Sequence, residues 1–543
     1  MNAGKDDPAA ERIPIRPFVH NFRGEGSISW ARERIRECES QHHCCTTSNA
    51  SLLPSRLLKI VASIDGSVTC VQLHRTTPSK VGITTEKYAT LSYCWGGPQD
   101  FQLNASSEDT LTYGISPSTL PKTLYDAVQV TWNLGIQWIW IDSLCIRQDD
   151  LEEKATEIAQ MHLIYGNSFI TLSATRASHC SQGFLHQDSL PILATVGYKL
   201  PFASPSGKLG TVILSRYRSN SPVDGRGWTL QEHLLARRVL RFTDYQLHWS
   251  CRSISMFESE NTGTLPSLYV KNLERGYKTY RGIHDEKRDC RHWMNVIEEY
   301  TRRELTDGLD KLLAMSGIAE SWAQAAKDHY LAGIWESHLP LGLLWSSAQP
   351  FRQSEFQAYR APSWSWASLV GQIDWFDHLF TKVDLMIEVK SCTVNPAHAH
   401  ALYGAVRSGS LVIHGLLQET VLDEAAVPVG TDDDAEYLDL ELADIHLDFW
   451  DEMLASRVES AKLFCLQICS FDESTGRGPS GLILVTKNGE EFSRVGIFTF
   501  EPPQKYDVEE IGDFDELLQL SIDRQVVQKV AFQNITPRTI TII

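Results

Sequence analysis

The chain has 543 residues, room for two or three domains, and its composition (42% hydrophobic, 22% charged, 15 tryptophans) is that of a folded globular protein rather than a disordered one. The formal net charge of -18 works against a general nucleic-acid binder, whose affinity comes from neutralising phosphates with Lys and Arg. No basic-then-apolar leader opens the chain, and no uncharged apolar run reaches the roughly 18 residues needed to cross a bilayer. A cytoplasmic protein with no membrane span and no nucleic-acid partner is therefore expected. The 12 cysteines are scattered, several of them inside apolar segments (Cys94, Cys145, Cys465, Cys469), and read as reduced, buried thiols.

Residues 1–55 form a polar, irregular N-terminal segment with a small cluster of Cys38, His42, His43, Cys44 and Cys45. Structural zinc sites are built from paired Cys-x2–4-Cys knuckles. Cys38-x3-His42 with Cys44, even joined to a distant pair such as Cys290 and His292, matches that pattern only in part, and no metal is assigned. Leu57–Leu73 alternates as one or two short strands. Tyr88–Trp95 is a run of aromatic, β-branched and apolar residues stopped by Gly96-Gly97-Pro98, which predicts a buried strand ending in a tight loop. Leu120–Leu134 carries apolar residues at helical spacing behind Pro121, and Gly135 stops it. Gln137–Ile141 predicts a second strand. Asp149–Tyr165 predicts a second helix with an acidic first turn suited to the helix dipole, and Ser168–Ala174 a third strand.

Strand, helix, strand, helix, strand over residues 88–174 implies a parallel sheet with right-handed crossovers, in which ligands sit beyond the carboxyl ends of the strands. Cys94–Gln99, Asp142–Gln148 and Thr175–Gly183 fall there. Residues 176–225 read as an insertion rich in Ser, Pro and Gly, with a strand at Thr211–Arg216. A helix follows near Trp228–Ala236, then strands at Arg238–Thr243 and Gln246–Cys251. Residues 256–375 are helical in pattern, and 376–543 mostly β. Trp364-Ser-Trp366 alternates like a strand, placing both rings on one face as a packing element.

Three blocks are more particular than periodicity requires: Tyr88-Ala-Thr-Leu-Ser-Tyr-Cys-Trp-Gly96, Trp140-Ile-Asp-Ser-Leu-Cys-Ile-Arg-Gln148, and Arg226-Gly-Trp-Thr-Leu-Gln-Glu232. In this order they resemble the signature blocks of the heterokaryon incompatibility (HET) domain of filamentous fungi, here spanning 56–255 with its core at 85–252. The resemblance implies a role in non-self recognition and programmed cell death, with a protein partner of the incompatibility response and activation by homo-oligomerisation. It also implies kinship with Toll/interleukin-1 receptor (TIR) domains, hence a TIR-like, flavodoxin-like α/β fold with a mainly parallel sheet and flanking helices. Some TIR domains cleave the nicotinamide–ribose bond of NAD+ with a Glu in a Trp-Cys-x-x-Glu setting. Trp228-Thr-Leu-Gln-Glu232 keeps the Trp and Glu at that separation, with Thr229 in place of Cys.

By this resemblance Glu232 is the catalytic candidate, NAD+ the substrate, and Trp95, Gly96, Asp142, Arg226 and Trp228 its binding residues. Each has a plainer reading. Glu232 can instead be a first-turns carboxylate that complements the helix dipole. Arg226 can pair with a phosphate or, structurally, with Asp142. Asp142 can line a pocket or accept amides of its own turn. Trp95 and Trp228 can stack on a base or fill a core. Gly96 and Gly97 permit close approach of a phosphate but belong to no nucleotide-binding pattern. Cys94 and Cys145 lack a His partner at a recognisable spacing. The alternative to an enzyme is an interaction module that recruits a downstream effector.

Overall fold

The computed structural model describes residues 6–13, 22, 24–45, 53–76, 87–99, 101–185, 197–215, 221–244, 246–259, 290–347, 359–376, 379, 382–399, 401–420, 444–448, 462–472, 477–486, 488–500, 532 and 535–543. Contacts within the chain divide it into two units, Met1–His284 and Asp285–Ile543.

In the first unit the N-terminal segment, expected to be irregular, carries helix α1 (Glu25–Gln41). Its apolar face is narrow: Ile28, Ala31, Ile35 and Cys38 are the buried apolar positions, spaced three or four apart within an otherwise charged stretch. Strands β1 (Arg56–Ala62) and β2 (Val68–Arg75) form an antiparallel pair. Strand β3 (Tyr88–Ser92) is followed by α2 (Glu108–Tyr113) and α3 (Lys122–Asn133), then β4 (Trp138–Trp140) and the single turn α4 (Asp142–Cys145). Helix α5 (Leu151–Asn167) is capped by Asp150, whose carboxylate accepts the Glu153 amide at 3.0 Å, and it leads to β5 (Ile170–Ser173).

The insertion contributes a β-hairpin, β6 (Gly197–Ala203) and β7 (Leu209–Ser215); the end of the strand expected there, Arg216, lies outside the described residues. Helix α6 (Gly227–Leu235) then precedes β8 (Arg238–Phe242), β9 (Leu247–Cys251) and β10 (Ser255–Phe257).

The sheet runs β10-β9-β8-β5-β3-β4-β1-β2. Its centre is parallel: Ala89 pairs with Ile139 on one side and Ile170 on the other, and Leu172 with Leu240. The outer pairs β1–β2 and β8–β9–β10 are antiparallel. Every residue of β3 and β5 is buried, as expected of strands covered on both faces. Helices α5 and α6 pack together, as the right-handed crossover rule expects of helices sharing one face of the sheet, with α3 on the other. Trp140 is fully buried against Tyr165, their rings edge to face at 5.6 Å.

In the second unit, α7 (Cys290–Thr301) and α8 (Ser316–Ala326) are followed by the short strands β11 (Tyr330–Leu331) and β12 (Ile334–Trp335), the turn α9 (Leu339–Gly342), and β13 (Ser346–Ser347) and β14 (Ile373–Asp374). A sheet of nine strands follows: β15 (Val383–Leu385), β16 (Ile387–Pro396), β17 (Val406–Gly415), β18 (Leu417–Thr420), β19 (Asp444–Leu447), β20 (Lys462–Phe471), β21 (Ser480–Thr486), β22 (Glu491–Thr499) and β23 (Arg538–Ile542). Nearly all its pairings are antiparallel; β22 and β23 run parallel. The C-terminal part is thus mostly β.

Trp293 lies 5.3 Å from Trp322 and 5.2 Å from Trp335 by ring centroids. Trp364 and Trp366 are both fully buried, but the expected strand does not form there. Ser365 accepts the Ala367 amide at 3.1 Å and caps a 3-10 turn, which makes the pair a packing element without strand geometry. Among the described residues no helix is long and apolar enough to cross a membrane.

Candidate functional site

The parallel centre of the first unit has strand order β4-β3-β5-β8, so the chain moves from β3 outward one way to β4 and then returns past β3 to β5. The carboxyl ends of β3 and β5 therefore flank the switch point, the place at which α/β sheets bind ligands. Ser92 ends β3 there, and Tyr93, Cys94, Trp95 and Gly96 continue over the rim.

Asp142 stands just beyond β4. Its Oδ2 accepts the Trp95 indole N–H at 2.9 Å and its Oδ1 the Ser143 amide at 2.7 Å. Asp142 thus accepts an amide of its own turn and also holds the neighbouring loop through Trp95. Burial pushes its carboxyl above the ordinary range, opposed first by the Arg226 guanidinium. Tyr93 donates to Ser143 Oγ at 2.9 Å, and burial raises its phenol well above its usual range.

Arg226 is the N-cap of α6 and donates to the Tyr93 carbonyl. This contact folds the segment Arg226–Glu232 against the strand rim. Thr229, where the TIR setting has Cys, donates to the carbonyls of Val223 (2.6 Å) and Arg226 (2.8 Å), closing the helix start. Glu232 lies one and a half turns into α6 and is 6% exposed. Its Oε2 accepts no hydrogen bond from any described residue. Burial pushes its carboxyl up to about 7, against the opposing pull of the Ser92 hydroxyl and Arg226, while the Asp142 charge reinforces the rise. A carboxyl in this state exchanges a proton near neutrality and can serve as acid or base.

A polar chain unread in the sequence backs this group. Arg241 on β8 holds Asp224 with Nη1 at 3.1 and 3.2 Å from its two oxygens and donates Nη2 to His233 Nδ1 at 3.0 Å. A guanidinium has no acceptor, so His233 Nδ1 accepts and the ring is neutral. Its Nε2–H then points to Ser92 Oγ at 3.2 Å, beside Glu232. The only sequence signal for this chain was position: Ser92 and His233 adjoin residues already singled out.

Residues 88–232 match the family model described as heterokaryon incompatibility protein (HET). This segment is a HET domain. Among curated proteins and among solved structures, no match to the chain was found.

Within the HET domain, Trp95, Asp142, Arg226 and Glu232 come together at one rim. Gly96 and Trp228 also make packing contacts of their own. Gly96 has φ +75, and a Cβ there would lie 2.2 Å from the His179 ring, so glycine serves the packing of two loops. Trp228 is half-buried against the core. Cys94 and Cys145 are buried, and burial raises both thiols, Cys145 to about 12, so neither offers a thiolate at neutral pH.

Sequence reasoning also missed Asp126 of α3. Fully buried, it pairs with Lys122 and accepts the amides of Phe184 (2.9 Å) and Leu185 (3.2 Å), fixing the loop beyond β5. The signal was the Lys122-x3-Asp126 spacing.

Proposed function

We propose that the HET domain is a TIR-like effector that couples non-self recognition to programmed cell death by cleaving the nicotinamide–ribose bond of NAD+. The observation that carries this reading is the placement of Glu232: a carboxyl with a vacant Oε2, pushed up to about 7, at the switch point between β3 and β5 and beside Arg226. The parallel strand order is that of flavodoxin-like sheets, to which TIR domains belong. As nicotinamide departs, a carboxylate stabilises the cationic ribosyl centre or holds the ribose hydroxyls, and Arg226 neutralises a diphosphate. Trp95, with its indole N–H tied to Asp142, supplies a ring for stacking. The helical and β remainder of the chain regulates the domain or senses the protein partner, and homo-oligomerisation brings it to activity.

The test is NAD+ consumption by the purified full chain at high protein concentration, wild type against Glu232→Gln. Consumption by the wild type with at least a roughly 100-fold loss in the variant is expected; a wild type that leaves NAD+ intact when clustered sinks the enzymatic reading.

The exposure of Glu232, only 6%, favours a second reading. In it the carboxyl organises the rim for docking and the domain recruits a downstream effector without chemistry. That reading expects no NAD+ turnover by either protein and weaker partner binding by Glu232→Gln than by wild type.

A further inference from the structure

The end of α1, the turn after it and the end of β9 bring four metal-ligating side chains to one point. Cys38 stands in the last turn of α1, His42 is its C-cap, Cys45 closes the 3-10 turn His43–Cys45, and Cys251 is the last residue of β9. Their ligand atoms all lie within 4.8 Å of one another, with His42 Nδ1 3.4 Å from Cys251 Sγ. Tetrahedral zinc with Zn–S of about 2.3 Å sets its ligand atoms roughly 3.8 Å apart, so small side-chain movements close this group around an ion.

The partial Cys38-x3-His42 pattern is therefore completed by Cys45 and by Cys251, 206 residues beyond it. Cys44 is exposed and pairs instead with Ser253 Oγ at 3.0 Å.

The surroundings are those of an anionic sulfur cluster. Arg238, 3% exposed, donates Nε to Cys38 Sγ at 3.2 Å and Nη2 to the Cys45 carbonyl at 3.2 Å. Among the described residues it has no carboxylate partner, and a guanidinium buried without a counter-charge is costly. Three thiolates and a neutral imidazole around Zn2+ carry one net negative charge, which Arg238 offsets. The Ile254 amide donates to Cys251 Sγ at 3.4 Å, a backbone bond that orients a ligating thiolate. The Cys45 amide bonds to the His42 carbonyl at 2.9 Å and sets the turn that aims both side chains inward.

We infer that Cys38, His42, Cys45 and Cys251 form a structural zinc site that staples α1 to β9, next to the edge strand of the sheet. All four positions are filled by protein ligands, so the site is closed and structural rather than catalytic. Binding releases the thiol protons to solvent as Zn2+ takes three thiolates.

The experiment is metal analysis of the full chain purified without chelator, followed by Co2+ replacement read by its visible absorption. About one Zn2+ per chain is expected, with the intense bands of tetrahedral thiolate-bound Co2+. His42→Ala should lose at least roughly 10-fold in metal affinity. His42→Cys should retain the metal with a stronger sulfur-to-cobalt band, and Cys44→Ser should bind as wild type does. The His42 variants change a half-buried side chain, and the His42→Cys result separates lost ligation from lost folding. A full chain that carries no zinc and takes up no Co2+, a disulfide among these cysteines in protein isolated with its thiols blocked, or a Cys44→Ser loss as large as that of His42→Ala would each overturn the site.

Discussion

Glu232 makes the stability of the HET domain depend on pH with a definite sign. Its carboxyl, ordinarily near 4.5, is pushed up to about 7 in the folded chain, chiefly by burial. Between those values the folded state binds more protons than the unfolded one, so stability is greatest below the lower value and falls as pH rises through the window. Glu232→Gln removes this dependence while keeping the shape. Denaturant unfolding should find the variant close to wild type at about pH 4 and more stable by roughly 2–4 kcal/mol at about pH 8. A difference that does not change with pH would show that the carboxyl is not held as described.

At the scale of elements, the loops beyond the parallel strands are fixed by a few polar contacts. Asp126 holds the amides of Phe184 and Leu185 from inside α3, and Gly183 beside it has φ +73 with no space for a Cβ against the Asp126 carboxylate. Asp126→Ala leaves two buried amides and Lys122 without their acceptor. It should cost roughly 3 kcal/mol in chemical denaturation, and a loss under about 1 kcal/mol would assign the loop's position to packing alone.

The parallel strands and their helices were legible because burial on both faces gives short unbroken apolar runs, such as Tyr88–Ser92 and Ile170–Ser173, between helices of clear apolar spacing. Helix α1 was not, because a charged stretch hides a face only one residue wide. The Trp364–Trp366 turn misled because alternation is shared by strands and by capped 3-10 turns, and only the Ser365 side chain decides between them. At the site, Trp95, Asp142, Arg226 and Glu232 stood in motifs. Asp224, Arg241 and Cys251 did not: their partners are brought together by tertiary structure alone, and no local spacing records it.

At the scale of the whole molecule, Lys311 of the second unit gives the opposite pH response to Glu232 of the first. Lys311 in the second unit is 6% exposed, donates to the Leu369 carbonyl and lies over the Trp366 ring, and burial draws its ammonium from the ordinary 10.5 down to about 7. Between those values the folded chain binds fewer protons than the unfolded one, so this unit gains stability as pH rises through that window. Lys311→Met should flatten the response and stabilise the unit by roughly 2–4 kcal/mol at about pH 6, less the lost carbonyl bond. Unchanged melting of the variant across pH would contradict this assignment.

The rings of Trp293, Trp322 and Trp335, with centroids from 5.2 to 6.2 Å apart, are close enough for their excited states to mix. Such a cluster yields a paired positive and negative circular-dichroism band that vanishes when the rings separate. The C-terminal unit therefore carries its own optical reporter. Its melting can be followed through that couplet in the full chain, without a label.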